Sequence, residues 1–277
     1  SPFGNAPGGT GSGTSTEGGA STTSDLDDNG RPLPRFFKLS DVPVAGAIGF
    51  IKNGSTFVRY VERATGHVVD VNPATLERQK ILNITQPKIY TVVFKNDASG
   101  FISRSIEGGG DTTVNTFVAL TAPKSTSTDT TYTAKATVLR GSVEEFAATA
   151  DGNLLYNLKD TGSIVLASFM GETPKTLLTL PFTQWLFAPE SGADVLLTTK
   201  ASVVADGYTY NLNTKTSRFT KRLGPLTALL PVPNASGNRL AYSYLDNRGQ
   251  TKLSVINLNT NSETSILPTT LPSKCVW

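Results

Sequence analysis

Short apolar runs alternate with polar turns along most of this chain, and one arrangement of them recurs five times. An apolar run leads into a short polar turn ending in glycine, and a second apolar run follows. The copies read GAIGFIKNGSTFVRYV, YTVVFKNDASGFISRSI, EFAATADGNLLYNL, QWLFAPESGADVLLTT and ALLPVPNASGNRLAYSY. Their turn glycines are Gly54, Gly100, Gly152, Gly192 and Gly237, spaced by 46, 52, 40 and 45 residues. Two further runs follow each copy, so every unit predicts four short strands. The third unit is the clearest: EEFAATA, NLLYNLK, SIVLASFM and KTLLTLP, punctuated by ADG, DTG and GETP. Turn residues recur every roughly 8–12 positions, and no stretch carries a helical period.

A four-stranded sheet has two apolar faces and is not stable alone, whereas sheets packed radially cover one another's faces. Four strands repeating every roughly 40–50 residues therefore predict an all-β fold, a β-propeller of four-stranded antiparallel blades. The blades are expected at about 42–85, 88–140, 143–181, 183–224 and 226–268, within a propeller region spanning 32–277. FFKLS (Phe36 to Ser40) reads as a lone strand ahead of the first blade. LPSKCVW (Leu271 to Trp277) reads as the first strand of a sixth. Two readings stand: an incomplete disc lacking C-terminal blades, which the pattern favours, or five blades that close alone. The chain starts at Ser1 rather than Met, as a cleaved signal peptide or a trimmed chain would leave it.

Residues 1–31 are dominated by Gly, Ser and Thr and hold only Phe3 and Leu26 as large apolar side chains. Such a segment cannot bury enough surface to offset its conformational entropy and is expected to be a flexible tether. One cysteine, Cys275, excludes an internal disulfide framework. Together with the abundance of Thr, Ser and Asn, this points to an extracytoplasmic protein, secreted or surface-tethered. No run of about 18 apolar residues is present, so no transmembrane segment is expected. A net charge of +3 is mild. The densest basic stretch, Lys215, Arg218, Lys221 and Arg222, reads as a solvated outer strand that discourages edge pairing, and no nucleic-acid partner is expected.

The turns and strand endings Ala150-Asp151-Gly152 before NLLYNL, NASGNRLAYSY before VINLNTNSE, and Tyr210-Asn211-Leu212-Asn213-Thr214 resemble TolB-type, WD-like propeller repeats. The resemblance covers about residues 42–277. It departs from the pattern in having Asp-Gly in one turn of five and in lacking the Trp-Asp dipeptide. The stretch PVAGAIGF…VRYVERATGHVVDV is also similar to the opening blade of uncharacterised exported propeller proteins of candidate-phylum bacteria, a likeness that implies no activity.

Chemistry-bearing residues are sparse. The one histidine, His67, has Glu62, Arg63 and Asp70 near it in sequence but no serine that can be assigned to it, and reads as structural or exposed. One Cys and one His cannot make a zinc site. SDLDDNG (Asp25, Asp27, Asn29, Gly30) matches half of a calcium loop, but Phe36 stands where the bidentate Glu belongs. The glycines at Gly108 to Gly110 lack the Lys-Ser/Thr of a phosphate loop. Glu107, Asp111, Glu144, Glu145, Asp151, Asp160, Glu190 and Asp246 lie in or beside loops, and spacing brings no two of them together. The sequence thus assigns no catalytic, cofactor-binding or metal-binding residue, and no cofactor. The sequons at Asn53, Asn83 and Asn234 are at chance level for such a composition.

The expected function is a secreted or cell-surface interaction module, not an enzyme, that binds a protein or a glycan through its loops. Gly108 to Thr113, Ala122 to Thr131 and Pro189 to Asp194 are the candidate contact segments. The alternatives are a propeller glycoside hydrolase with a carboxylate pair and a self-associating structural envelope component.

Overall fold

The computed structural model describes residues 38–82, 86–107, 112–123, 131–139, 141–234, 236–266 and 271–272. The expected tether, the SDLDDNG turn, the loop positions 108–111 and 124–130, Asn83 and Cys275 lie outside the described residues. The region from Leu39 onward forms one compact unit. Its described residues hold nineteen strands and no α-helix.

The first sheet is β1 (Val44–Lys52), β2 (Ser55–Glu62), β3 (Val68–Val71) and β4 (Arg78–Leu82). The second is β5 (Ile89–Phe94), β6 (Gly100–Glu107), β7 (Thr112–Thr121) and β8 (Thr133–Leu139). The third is β9 (Val143–Ala148), β10 (Asn153–Leu158), β11 (Ser163–Ser168) and β12 (Lys175–Thr179). In each, neighbours in sequence pair antiparallel, as hairpin-length turns require. The innermost strands pack one against the next, β1 on β5, β5 on β9 and β9 on β13 (Trp185–Pro189).

The remaining strands form one seven-stranded sheet: β13, β14 (Asp194–Thr199), β15 (Asp206–Asn213), β16 (Arg218–Pro233), β17 (Arg239–Leu245), β18 (Thr251–Asn257) and β19 (Ser262–Ile266). The sequence reading places a blade boundary at Gly224-Pro225. Here the chain does not leave the sheet at that point. The first part of β16 pairs with β15 as far as Asp206↔Thr227, and the rest pairs with β17 from Thr227↔Leu245 onward. The stretch GPLTALL lacks the Asn, Asp and Ser side chains that close turns, so its backbone amides and carbonyls are satisfied by pairing on either side.

Phe36 and Phe37 of FFKLS and residues 273–277 of LPSKCVW lie outside the described residues. One turn expectation is corrected. Gly100 is not the turn residue of its unit. It opens β6, while Ala98 takes the left-handed conformation, with φ of 56°, that Gly54, Gly152, Gly192 and Gly237 take in the other four turns. Gly100 has a different reason to be glycine: a Cβ there would sit 2.8 Å from the Val118 carbonyl oxygen on β7.

Apolar clusters fill the faces between successive sheets. Val61, Ile81, Phe94 and Phe101 join the first two sheets; Ile102, Phe117, Phe146 and Leu154 join the second and third. Leu155, Ile164, Trp185, Leu197 and Leu212 join the third to the fourth, where Tyr210 and Phe219 stack with centroids 4.4 Å apart.

Candidate functional site

Most of the polar residues singled out in the sequence have structural tasks. His67 Nδ1 lies 3.4 Å from Glu62 Oε2, which also accepts the Thr65 hydroxyl at 2.5 Å. Asp70 is turned away from it and takes Arg59 in a bidentate pair, at 2.7 and 2.9 Å. Arg59 is buried between the rings of Phe50 and Tyr132 and donates to the Ala98 carbonyl, tying the first sheet to the turn of the second. Glu144 and Glu145 are neighbours on β9 and point to opposite sides. Glu144 meets Lys159 at 3.8 Å, and burial pushes the Glu145 carboxyl up against the opposing effect of Arg104. Asp151 accepts the Thr149 hydroxyl; Asp246 accepts the Arg248 and Gln250 amides at 2.9 Å and closes its own turn. Asp160 is exposed in a turn, Glu107 ends β6, and Asp111 lies outside the described residues.

Glu190 differs from all of these. It sits in the β13–β14 turn, the Pro189 to Asp194 segment picked out in the sequence, yet it is only 6% exposed. Its backbone amide donates to the Asp194 carbonyl at 3.0 Å, which tightens the turn and holds the side chain inward against Gly237 of the next unit. The Ser191 hydroxyl donates to the Ser236 carbonyl across the same gap. Burial raises the Glu190 carboxyl to about 7, with Arg222 opposing the shift and Asp194 adding to it.

Beside it opens a cleft of about 580 Å³, lined by Asp194, Asn211, Asn213, Thr216, Arg218, Thr220 and Arg222. The alternation of the strands builds this lining. Val195, Leu197, Leu212 and Phe219 face the third sheet, so their neighbours Asp194, Asn211, Asn213, Arg218 and Thr220 face the other way. Tyr210 pairs with Lys221 and Thr209 with Leu223, which leaves Arg222 as the extra residue of a bulge. Alternation already places Arg222 on the face of Arg218 and Thr220, at the cleft, while Lys221 lies over the Tyr208 ring, 5.1 Å from its centroid.

Asp194 Oδ1 accepts from the Asn211 amide at 3.1 Å and from the Asn213 amide at 2.9 Å, which fixes all three side chains. Among the described residues three buried side-chain atoms have no hydrogen-bond partner: Asn157 Oδ1, Glu190 Oε1 and Asn211 Oδ1. Two of the three belong to this cleft and the turn that leads into it. Neither the Arg218 nor the Arg222 guanidinium makes an ion pair or a hydrogen bond among the described residues. The lining therefore offers two forked cation donors, the Asn211 Oδ1 acceptor and the Asp194 carboxylate, with the buried Glu190 oxygen in the adjoining turn. No group of three or more Cys, His, Asp or Glu capable of holding a metal occurs among the described residues. No helix there is long and apolar enough to cross a membrane.

In the sequence, the Asn-x-Asn ending of YNLNT and the alternation Arg-x-Thr-x-Arg were the available signals. The first was legible only as a strand ending and the second only as a basic outer strand. The segments 108–111 and 124–130, also singled out, lie outside the described residues.

No family model matches the chain, and no curated protein sequence matches it. Solved structures do. An oligogalacturonate lyase in complex with manganese superposes with a TM-score of 0.55 and 14% identity, covering 78% of this chain and 63% of that one. TolB from Acinetobacter baumannii gives a TM-score of 0.50 and 15% identity, covering 77% of this chain and 53% of that one. An auxiliary nutrient binding protein from Bacteroides thetaiotaomicron gives a TM-score of 0.44 at 14% identity over 80% of this chain and 56% of that one. The chain spans less than two thirds of the length of each of these structures. The likeness in the first two lies in the fold: all-β, with four-stranded antiparallel sheets following one another in sequence. This chain folds as a β-propeller of four-stranded antiparallel sheets.

Proposed function

We propose that this protein is an extracytoplasmic interaction module that binds a polar partner, a protein or a glycan, without turning it over. The contact surface is the cleft on the β14–β16 face, together with the Pro189 to Asp194 turn that leads into it. One observation carries the reading: Asn211, in the wall of a cleft of about 580 Å³, and Glu190, in the turn that ends at the cleft residue Asp194, each present a buried oxygen with no hydrogen-bond partner. Unpaired buried acceptors cost roughly 1–3 kcal/mol each, and a site meant to receive donors from a ligand is where such a cost recurs. Propellers present binding surfaces of this kind without any conserved chemistry. The Gly/Ser/Thr-rich segment 1–31, read as a tether, and the single cysteine support an exported location.

A second reading has one observation in its favour. A carboxyl held near 7 keeps its proton in about half of the molecules at neutral pH, and Glu190 lies close enough to Asp194 to feel its charge, as an acid and a carboxylate would in a glycoside hydrolase. One experiment separates the two. Glycan and peptide arrays are probed with the wild-type chain and with the Asn211→Ala/Arg222→Gln variant, and every saccharide that binds is then incubated and assayed for new reducing ends. Binding that the double substitution abolishes, with no bond cleavage, is the expected result. Hits that survive the double substitution would move the contact surface elsewhere. Cleavage that Glu190→Gln abolishes would establish the hydrolase instead.

A further inference from the structure

We infer that the cleft on the β14–β16 face is a subsite for an acidic saccharide, whose carboxylates take the Arg218 and Arg222 guanidiniums while its ring hydroxyls donate to Asn211 Oδ1 and, beside the lining, to Glu190 Oε1. This rests on the cleft being the contact surface argued above, and adds the chemical class of what enters it.

Arg218 and Arg222 are four residues apart on one strand, so about 13 Å separates their Cα atoms at the usual strand rise. Thr220 lies between them on the same face. Plain alternation carries Arg222 to the same face as Arg218 and Thr220, and the second guanidinium follows from it. The one carboxylate in the lining, Asp194, is held by Asn211 and Asn213 rather than by either arginine. Two unpaired forks along a groove suit a ligand with two separated anionic groups, since guanidinium matches carboxylate in a bidentate geometry.

The orphaned atoms narrow the class. Both are oxygens, and Asn211 has already committed its amide N–H to Asp194, so its Oδ1 can only accept. The ligand must therefore bring O–H or N–H donors to the places where it also brings negative charge. An acidic side chain of a peptide brings acceptors alone to that spot. A uronic acid carries its carboxylate and its hydroxyls on one rigid ring, so a single sugar serves a guanidinium and an orphaned acceptor together. The lining contains no aromatic ring, so the grip is by charge and hydrogen bonds rather than by stacking, and it should weaken as salt is added.

The test uses the full chain and isothermal titration with a tetrasaccharide of alternating uronate and N-acetylhexosamine. The same tetrasaccharide with its carboxyls reduced to alcohols and a short poly-L-glutamate are titrated beside it. The expected result is binding of the uronate form, weakened about tenfold or more by carboxyl reduction and by either Arg218→Gln or Arg222→Gln. Asn211→Ala should weaken the native and the reduced saccharide by the same factor, because it removes a hydroxyl contact and no charge. Thermal unfolding of each variant confirms that it is folded. Equal affinity for native and reduced saccharide overturns the acidic class. Tight binding of poly-L-glutamate alone, lost in the arginine variants, overturns the saccharide while leaving the interaction surface standing. Failure of all three probes to bind overturns the saccharide assignment, and arginine variants without effect on any array hit would take the contact surface with it.

Discussion

Glu190 and Arg59 are both charged groups taken out of water, and they are stabilised in opposite ways. Arg59 has its counter-charge: Asp70 holds two of its nitrogens, and both residues are at most 2% exposed. Removing one partner leaves the other buried and unpaired, so Asp70→Ala should cost about 3–5 kcal/mol in urea unfolding. A cost below about 1 kcal/mol would mean that the Phe50 and Tyr132 rings and the Ala98 carbonyl suffice for the guanidinium. Glu190 has no such partner, and burial lifts its carboxyl from 4.5 to about 7. The folded state therefore binds this proton more tightly than the unfolded chain does. The stability it contributes is fully present below about pH 4.5 and is lost as the pH rises through about 7, an effect on the order of 1–3 kcal/mol. Glu190→Gln cannot ionise, so its denaturation midpoint should move less between pH 5 and pH 8 than that of the wild type. An identical pH profile in the two proteins would place the dependence on another group.

At the scale of the element, β16 sets the character of the fourth and fifth units. It belongs to both, and the turn that opens the fifth, Asn234 to Asn238, closes over Glu190. Gly237 has a φ of +66°, and a Cβ there would meet the Glu190 carboxyl at 2.9–3.0 Å. Gly237→Ala combines backbone strain with that clash and should lower stability by about 1–3 kcal/mol, where Gly249→Ala, with open space around it, bears the strain alone. Equal costs in thermal unfolding would show that the Glu190 side chain yields freely. Turn chemistry was partly legible beforehand. Four of the five turn glycines have the backbone conformation their spacing implied, but in NDASG the left-handed residue is Ala98, because Gly100 is needed where the Val118 carbonyl comes close. Around the unit boundary at Gly224-Pro225 the strand continues: Leu223 and Leu226 pair with β15, and Thr227 onward pairs with β17.

Across the whole molecule the sheet-to-sheet faces are unequal. Buried aliphatic and aromatic clusters join the first four sheet units in succession, and Leu197→Ala in the third of these clusters should cost about 2–5 kcal/mol. The face of β14–β16 away from that cluster buries Leu196 but also carries the polar cleft of Asp194, Asn211, Asn213, Arg218 and Thr220. Local opening follows the density of apolar contact, so amides of β17 and β18 should exchange with solvent faster than those of β10 and β11 in native-state hydrogen exchange. Uniform protection across the two would show that the polar face is packed as firmly as the apolar ones. What the sequence alone determined is the run of strands, the units of four and the propeller they imply. Those depend on local alternation and turn residues, and both are written in neighbouring positions. What only the tertiary structure decided is which polar residues meet. Glu190 was one of eight loop carboxylates, and Arg218 and Arg222 one basic stretch. Their burial, their bulge and their shared cleft come from pairings between distant strands, where a shift of one residue reverses the face on which each side chain lies.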